Sequence, residues 1–130
     1  MQRQFLLIGS LLALLAVILG AFGAHGLQGQ LTEHQIEIYQ TGVRYQFYHA
    51  FAILIVAILS PQFSGKQLLW AGRLFTAGAL FFSGSIYLLA CKDLLGLENF
   101  QAILGPITPI GGVFFMAGWL MIFLAALKIK

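Results

Sequence analysis

Charge is what this chain has least of. Only 8% of its 130 residues are Asp, Glu, Lys or Arg, where a soluble domain carries about a quarter. Cysteine is nearly absent too. Cys91 stands alone, which excludes an intrachain disulfide and any multi-cysteine metal centre. Strict apolar/polar alternation is missing, and the apolar runs are too few to close a barrel. Basic clusters are also missing. Arg3, Lys66, Arg73, Lys128 and Lys130 sit singly at the ends of apolar runs. The net charge of +3 is therefore that of membrane flanks and excludes nucleic acid as a partner.

What is present is apolar: 60% hydrophobic residues and a mean hydropathy of +0.92. Four runs are readable, at about 5–24, 41–60, 68–90 and 107–127. Runs of about 20 residues match a hydrocarbon core about 30 Å thick at 1.5 Å per residue. The reading is one all-α integral membrane domain over 1–130, an up-down four-helix bundle. The first run has a rival reading as a secretory leader, with Ala21-Phe22-Gly23 as a cleavage-like triplet. Gly9, Ala13, Ala16 and Gly20 argue for a retained span, because they recur at helical spacing and suit close helix packing.

The second apolar core, 51–59, is too short to cross alone. Counting about 20 residues back from Leu59 draws TGVRYQFYHA (41–50) into the membrane. Upstream, Thr32 with Gln35 fits a capping box. The expectation is a helix from about 33 to 60, its first turns (33–40) interfacial, stopped by Pro61. Gly105-Pro106 with Pro109 is expected to break the third connection and open the last helix, with backbone N–H groups free for an anion. Five basic residues flank the N-terminus, second connection and C-terminus, against Arg44 and Lys92 in the other two connections. This bias predicts both termini in the cytoplasm and argues against a dual-topology dimer.

The polar residues of the spans share one side. His25 ends the first span; Arg44, Tyr45, Tyr48 and His49 open the second; Ser83, Ser85 and Tyr87 lie late in the third; Thr108 opens the fourth. In an up-down chain these ends meet. Ser10, Thr76 and Arg73 are the main exceptions on the opposite side. Thr41, Tyr45, Tyr48 and His49 share a helix face, overlapped by a stripe of Glu37, Thr41, Arg44 and Tyr48. Intramembrane polar groups usually face an interior or a cavity. The convergence predicts a polar ligand site at the outer side, formed by His25, Arg44, Tyr45, Tyr48, His49, Ser83 and Ser85, with no catalytic or metal residue assigned.

Each of these residues has a plainer use. His25 suits a helix end, Arg44 can snorkel to headgroups, the tyrosines can form an aromatic belt, and the serines can pack helices. No cofactor is assigned. Two histidines could flank haem iron, which makes His25 with His49 a minor option. Zinc would need His34 with Glu33 or Glu37 as well. A serine hydrolase built on Ser83 or Ser85 would have His49 as base, but no intramembrane carboxylate to orient it.

GAFGAHGL, TGVRYQFYHAFAIL, FSGSIYLL and LGPITPIGGVFFMAGW resemble the signature blocks of a family of small bacterial membrane proteins of unknown function. That family is similar to eukaryotic transmembrane protein 256. The resemblance covers most of the chain and implies a four-span protein of the bacterial inner membrane. It supplies no reaction and no site residues. The leading expectation is a binding or accessory module for a lipid, a quinone or a small polar ligand. A transporter acting as a homo-oligomer, an outer-leaflet lipid enzyme and a structural partner in a membrane complex are the alternatives.

Overall fold

A computed structural model describes residues 1–129. Its described residues are helical apart from short connections. α1 (Gln2–His25) and α2 (Glu33–Leu59) form the first hairpin, and a 3₁₀ turn with Pro61 ends α2. The third span, Gln67–Ala90, is composite: α3 (Gln67–Gly78), a π-helical turn (Ala79–Ser83) and α4 (Gly84–Ala90). A short helix, α5 (Lys92–Leu95), lies in the third connection, and α6 (Gln101–Ala126) is the last span. All four spans are long and apolar enough to cross a membrane.

The start of α2 follows its capping box. Thr32 Oγ1 accepts from the Gln35 N–H at 3.2 Å, and the Gln35 side chain accepts from the Thr32 N–H at 2.9 Å. This satisfies two groups that the first turn of a helix otherwise leaves open. The same Gln35 donates to Asp93 at 3.0 Å, so the first and third connections are tied at this end of the molecule.

Helix packing in lipid gains little from hydrophobicity and depends on close contact and hydrogen bonds. The small-residue stripe of α1 supplies close contact. Gly9 lies against Leu54 and Ala50, Gly20 against Val43, and Gly23 against Tyr39 and Gln40. These pairs fix an antiparallel register along α1 and α2. The third span then packs between α2 and α6. One apolar core joins all the spans around Phe5, Ile53, Val56, Phe75 and Phe115. A second, at the other end, gathers Leu27, Leu31, Tyr39, Val43 and Ala90.

The start of the last helix differs from the expectation. The last helix does not begin after Pro106; it begins at Gln101 and runs through both Pro106 and Pro109. Each proline lacks the N–H that would bond the carbonyl four residues earlier. The carbonyls released, those of Ala102 and Gly105, belong to the first turns of α6, where headgroup water can satisfy them. Helix-breaking residues are tolerated in a span where other groups take over the freed backbone positions. The remaining backbone must stay paired in an apolar medium, so the helix continues.

The π turn brings the third span into backbone contact with α6. At its end the Gly84 N–H bonds back to the Ala79 carbonyl, five residues earlier. A Cβ on Gly111 would fall onto the backbone nitrogen of Phe82, which cannot swing aside as a side chain can. The neighbouring Gly112 has Phe82 as its nearest group, at 3.9 Å. We therefore expect Gly111→Ala to destabilise the fold by about 1–3 kcal/mol, the usual cost of overpacking. Gly112→Ala should stay within about 1 kcal/mol of wild type. Reversible unfolding of both variants in mixed micelles checks the contrast.

A candidate ligand cleft between the second and last spans

α2 carries most of the polar interior. Gln46 is buried, and its amide reaches both neighbours: Nε2 donates to the Leu12 carbonyl of α1 at 2.8 Å, and Oε1 accepts from the Tyr87 hydroxyl of α4 at 2.6 Å. Tyr39 packs at a tilt against Tyr87, ring centroids 5.1 Å apart, and donates to the Leu19 carbonyl at 2.6 Å. Ser83 donates to the Gly42 carbonyl at 2.7 Å. Ser85 donates to the Phe82 carbonyl at 3.0 Å, which leaves Thr108 as donor in the 2.5 Å contact between their hydroxyls. No buried side-chain N or O among the described residues lacks a partner. Unpaired, such groups would cost several kcal/mol in hydrocarbon.

His49 lies level with the middle of α1, judged from the α1–α2 register, and is 4% exposed. Its ring stacks on Phe115 with centroids 3.5 Å apart and planes 7° apart. The Trp119 indole N–H approaches Nε2 at 3.2 Å, and Nδ1 lies 2.8 Å from the Tyr45 carbonyl. Indole nitrogen only donates, so Nε2 accepts and Nδ1 carries the proton. The geometry assigns a neutral, Nδ1–H imidazole whose two nitrogens are both engaged.

Beside this ring lies a cleft of about 420 Å³ between α2 and α6. Tyr45, Tyr48 and His49 line one wall, Phe115, Met116 and Trp119 the other, with Phe82 and Gly112 completing it. Tyr45 packs at a tilt against Phe82, ring centroids 4.8 Å apart, and meets Tyr48 edge-on at 5.7 Å. Both tyrosines are exposed, and neither hydroxyl takes part in the interior bonds described above. Arg44 is exposed one turn before Tyr48. It donates to Thr41 Oγ1 at 3.0 Å, and Thr41 donates to the Glu37 carbonyl at 3.1 Å.

The seven residues singled out in the sequence therefore separate. Tyr45, Tyr48 and His49 come together in the cleft, with Arg44 a turn away. Ser83 and Ser85 are buried and engaged between spans. His25 is exposed at the end of α1, level with about residue 38 of α2 by the packing register. Eleven residues of α2 then separate the levels of the two histidines, about 16 Å at helical rise. His25 and His49 do not flank a common iron. Among the described residues, no three His, Cys, Asp or Glu side chains gather to hold a metal ion. Cys91, just beyond the third span, is partly buried, and burial pushes its thiol up, away from the reactive thiolate.

Gln46 and Trp119 were not singled out in the sequence. Gln46 had a legible signal: with Tyr39, Gly42, His49, Ala50 and Ile53 it forms the buried stripe of α2 at helical spacing. Trp119 had none, because its role depends on how α6 lies against α2.

A family model described as a protein of unknown function, DUF423, matches residues 19–112. The chain belongs to the DUF423 family. It is 45% identical over 128 residues to the UPF0382 membrane protein YwdK of Bacillus subtilis (strain 168), covering 98% of both chains. A UPF0382 membrane protein of Staphylococcus aureus (strain bovine RF122 / ET3-1) is 44% identical over 127 residues, again covering 98% of both. No solved structure matches. With four spans and these relatives, this DUF423 chain is a multi-pass membrane protein embedded in a lipid bilayer.

The histidine geometry has a spectroscopic consequence. In lipid at pH 7, ¹⁵N NMR of His49 should show the Nδ1–H tautomer. Trp119→Phe should release Nε2 and yield a tautomer mixture. An Nε2–H imidazole in the wild type would contradict the assignment.

Proposed function

We propose that this DUF423 protein is a binding or accessory module, with both termini in the cytoplasm, whose α2–α6 cleft takes the head of a lipid-soluble ligand. The ligand class is one with hydrogen-bond acceptors on an otherwise apolar body, a quinone ring or a lipid headgroup. The observation that carries the reading is the pair of exposed phenols, Tyr45 and Tyr48, in an aromatic cleft open along the bundle surface. A hydroxyl at that depth is costly unless it finds an acceptor. Phe82 and the exposed Trp119 offer ring surface to a flat ligand. Arg44, a turn away, adds a cation for an anionic head.

In this reading His49 is a positioning group. Both of its nitrogens are occupied: Nε2 holds Trp119 of α6 across the cleft, and Nδ1–H is spent on the Tyr45 backbone carbonyl of its own helix. Ser83 and Ser85 shape the cleft through Phe82 and do not touch the ligand. His25 is left as a helix-end residue at the same side of the membrane.

Native mass spectrometry of protein gently extracted from its own membranes tests this. The wild type should carry a discrete bound mass, and Tyr45→Phe/Tyr48→Phe should lower its occupancy by roughly tenfold or more, as expected for two lost hydrogen bonds. A matching loss in Arg44→Gln would indicate an anionic head, and retention there a neutral carbonyl acceptor such as a quinone. No bound mass, or one indifferent to the tyrosines, would overturn the reading.

A further inference from the structure

We infer that a second cleft, between α1 and α3 at the end carrying both termini, is a site for one anionic phospholipid held by Arg73. The cleft measures about 360 Å³, and its walls include Gln4, Phe5 and Ile8 from α1 and Leu69, Arg73 and Thr76 from α3. Arg73 stands six residues into the third span, about 9 Å along it at helical rise. Its guanidinium lies over the Trp70 ring, 5.4 Å from the centroid, back toward the start of α3. That is the direction in which helical side chains tilt and long cations snorkel.

The charge distribution selects the occupant. All four acidic side chains, Glu33, Glu37, Asp93 and Glu98, belong to the first and third connections or the turns beside them, at the other end of the molecule. Arg3, Lys66 and Lys128 share the end of Arg73. No Asp or Glu of this chain stands on that side to neutralise a cation set inside a span, and an uncompensated charge there is expensive. Thr76 is already committed to the Gly72 carbonyl at 2.7 Å, so the free donors at the cleft are the guanidinium and the Gln4 amide. A phosphodiester takes a guanidinium in a forked pair of hydrogen bonds. One acyl chain then lies along Phe5, Ile8 and Leu69.

The test uses the whole protein in bilayer nanodiscs of phosphatidylcholine and phosphatidylglycerol, followed by stepwise detergent stripping and native mass spectrometry. The wild type should retain one phosphatidylglycerol in preference to phosphatidylcholine. Arg73→Gln should lower that retention roughly tenfold, while Lys128→Gln, which removes an exposed cation at the same end but outside the cleft, leaves it unchanged. Ala77→Phe fills the trough without touching the charge and should also lower retention; it carries the test if Arg73→Gln fails to fold. Equal retention of the two lipids by wild type, or undiminished phosphatidylglycerol on folded Arg73→Gln or Ala77→Phe, overturns the site. The α2–α6 cleft is untouched by both variants, so either proposal can fail alone.

Discussion

The structure depends on one amide. Gln46 sits in the buried stripe of α2 and joins a backbone carbonyl of α1 to a phenol of α4. In a soluble protein the apolar cores would dominate such a tie. Here the competing solvent is lipid, as apolar as the side chains it replaces, so a hydrogen bond made across helices has few rivals. Its donor and acceptor ends point to different neighbours, which sets the order of the helices: α1 on one side of α2, the third span on the other. The α1 stripe of glycine and alanine then lets the backbones approach until the tie closes.

From that order the remaining features follow. Ser83, Tyr39 and the Ser85–Thr108 pair repeat the same device above Gln46, each using a hydroxyl to hold a neighbouring span. The π turn gives Ser83 its reach and brings Phe82 against Gly111. Spans that are diagonal neighbours then meet through side chains, not backbones, and leave clefts between them: α2 with α6, and α1 with α3. Each cleft has an arginine in or near it, Arg44 toward one membrane face and Arg73 toward the other. The polar groups inside are consumed by architecture, and those left at the clefts define what the protein can bind.

Much of this was legible in the residues. Run lengths place all four spans, Thr32 and Gln35 mark the start of α2, and the Gly9–Gly20 stripe marks the face of α1 that meets α2. The concentration of polar residues in half of each span is also a sequence fact. What the residues did not reveal is which of them face each other. Ser83 and Tyr45 are equally polar by composition, yet one is buried against Gly42 and the other borders a cleft. Pro106 and Pro109 look like a helix start by soluble-protein rules, whereas an apolar medium makes breaking a helix costlier than bending the rule. His25 and His49 look comparable along the chain, but the α1–α2 register separates their levels. Trp119 becomes a partner of His49 only once α6 is laid diagonally against α2.

The claim that Gln46 orders the helices is best tested by a double-mutant cycle of Gln46→Leu and Tyr87→Phe, read by reversible unfolding in lipid–detergent micelles. The account predicts that each single change destabilises and that the pair couples by about 0.6–1.7 kcal/mol, the range seen for hydrogen bonds between membrane helices. Additivity within about 0.3 kcal/mol would mean that the two side chains act independently, and would contradict it.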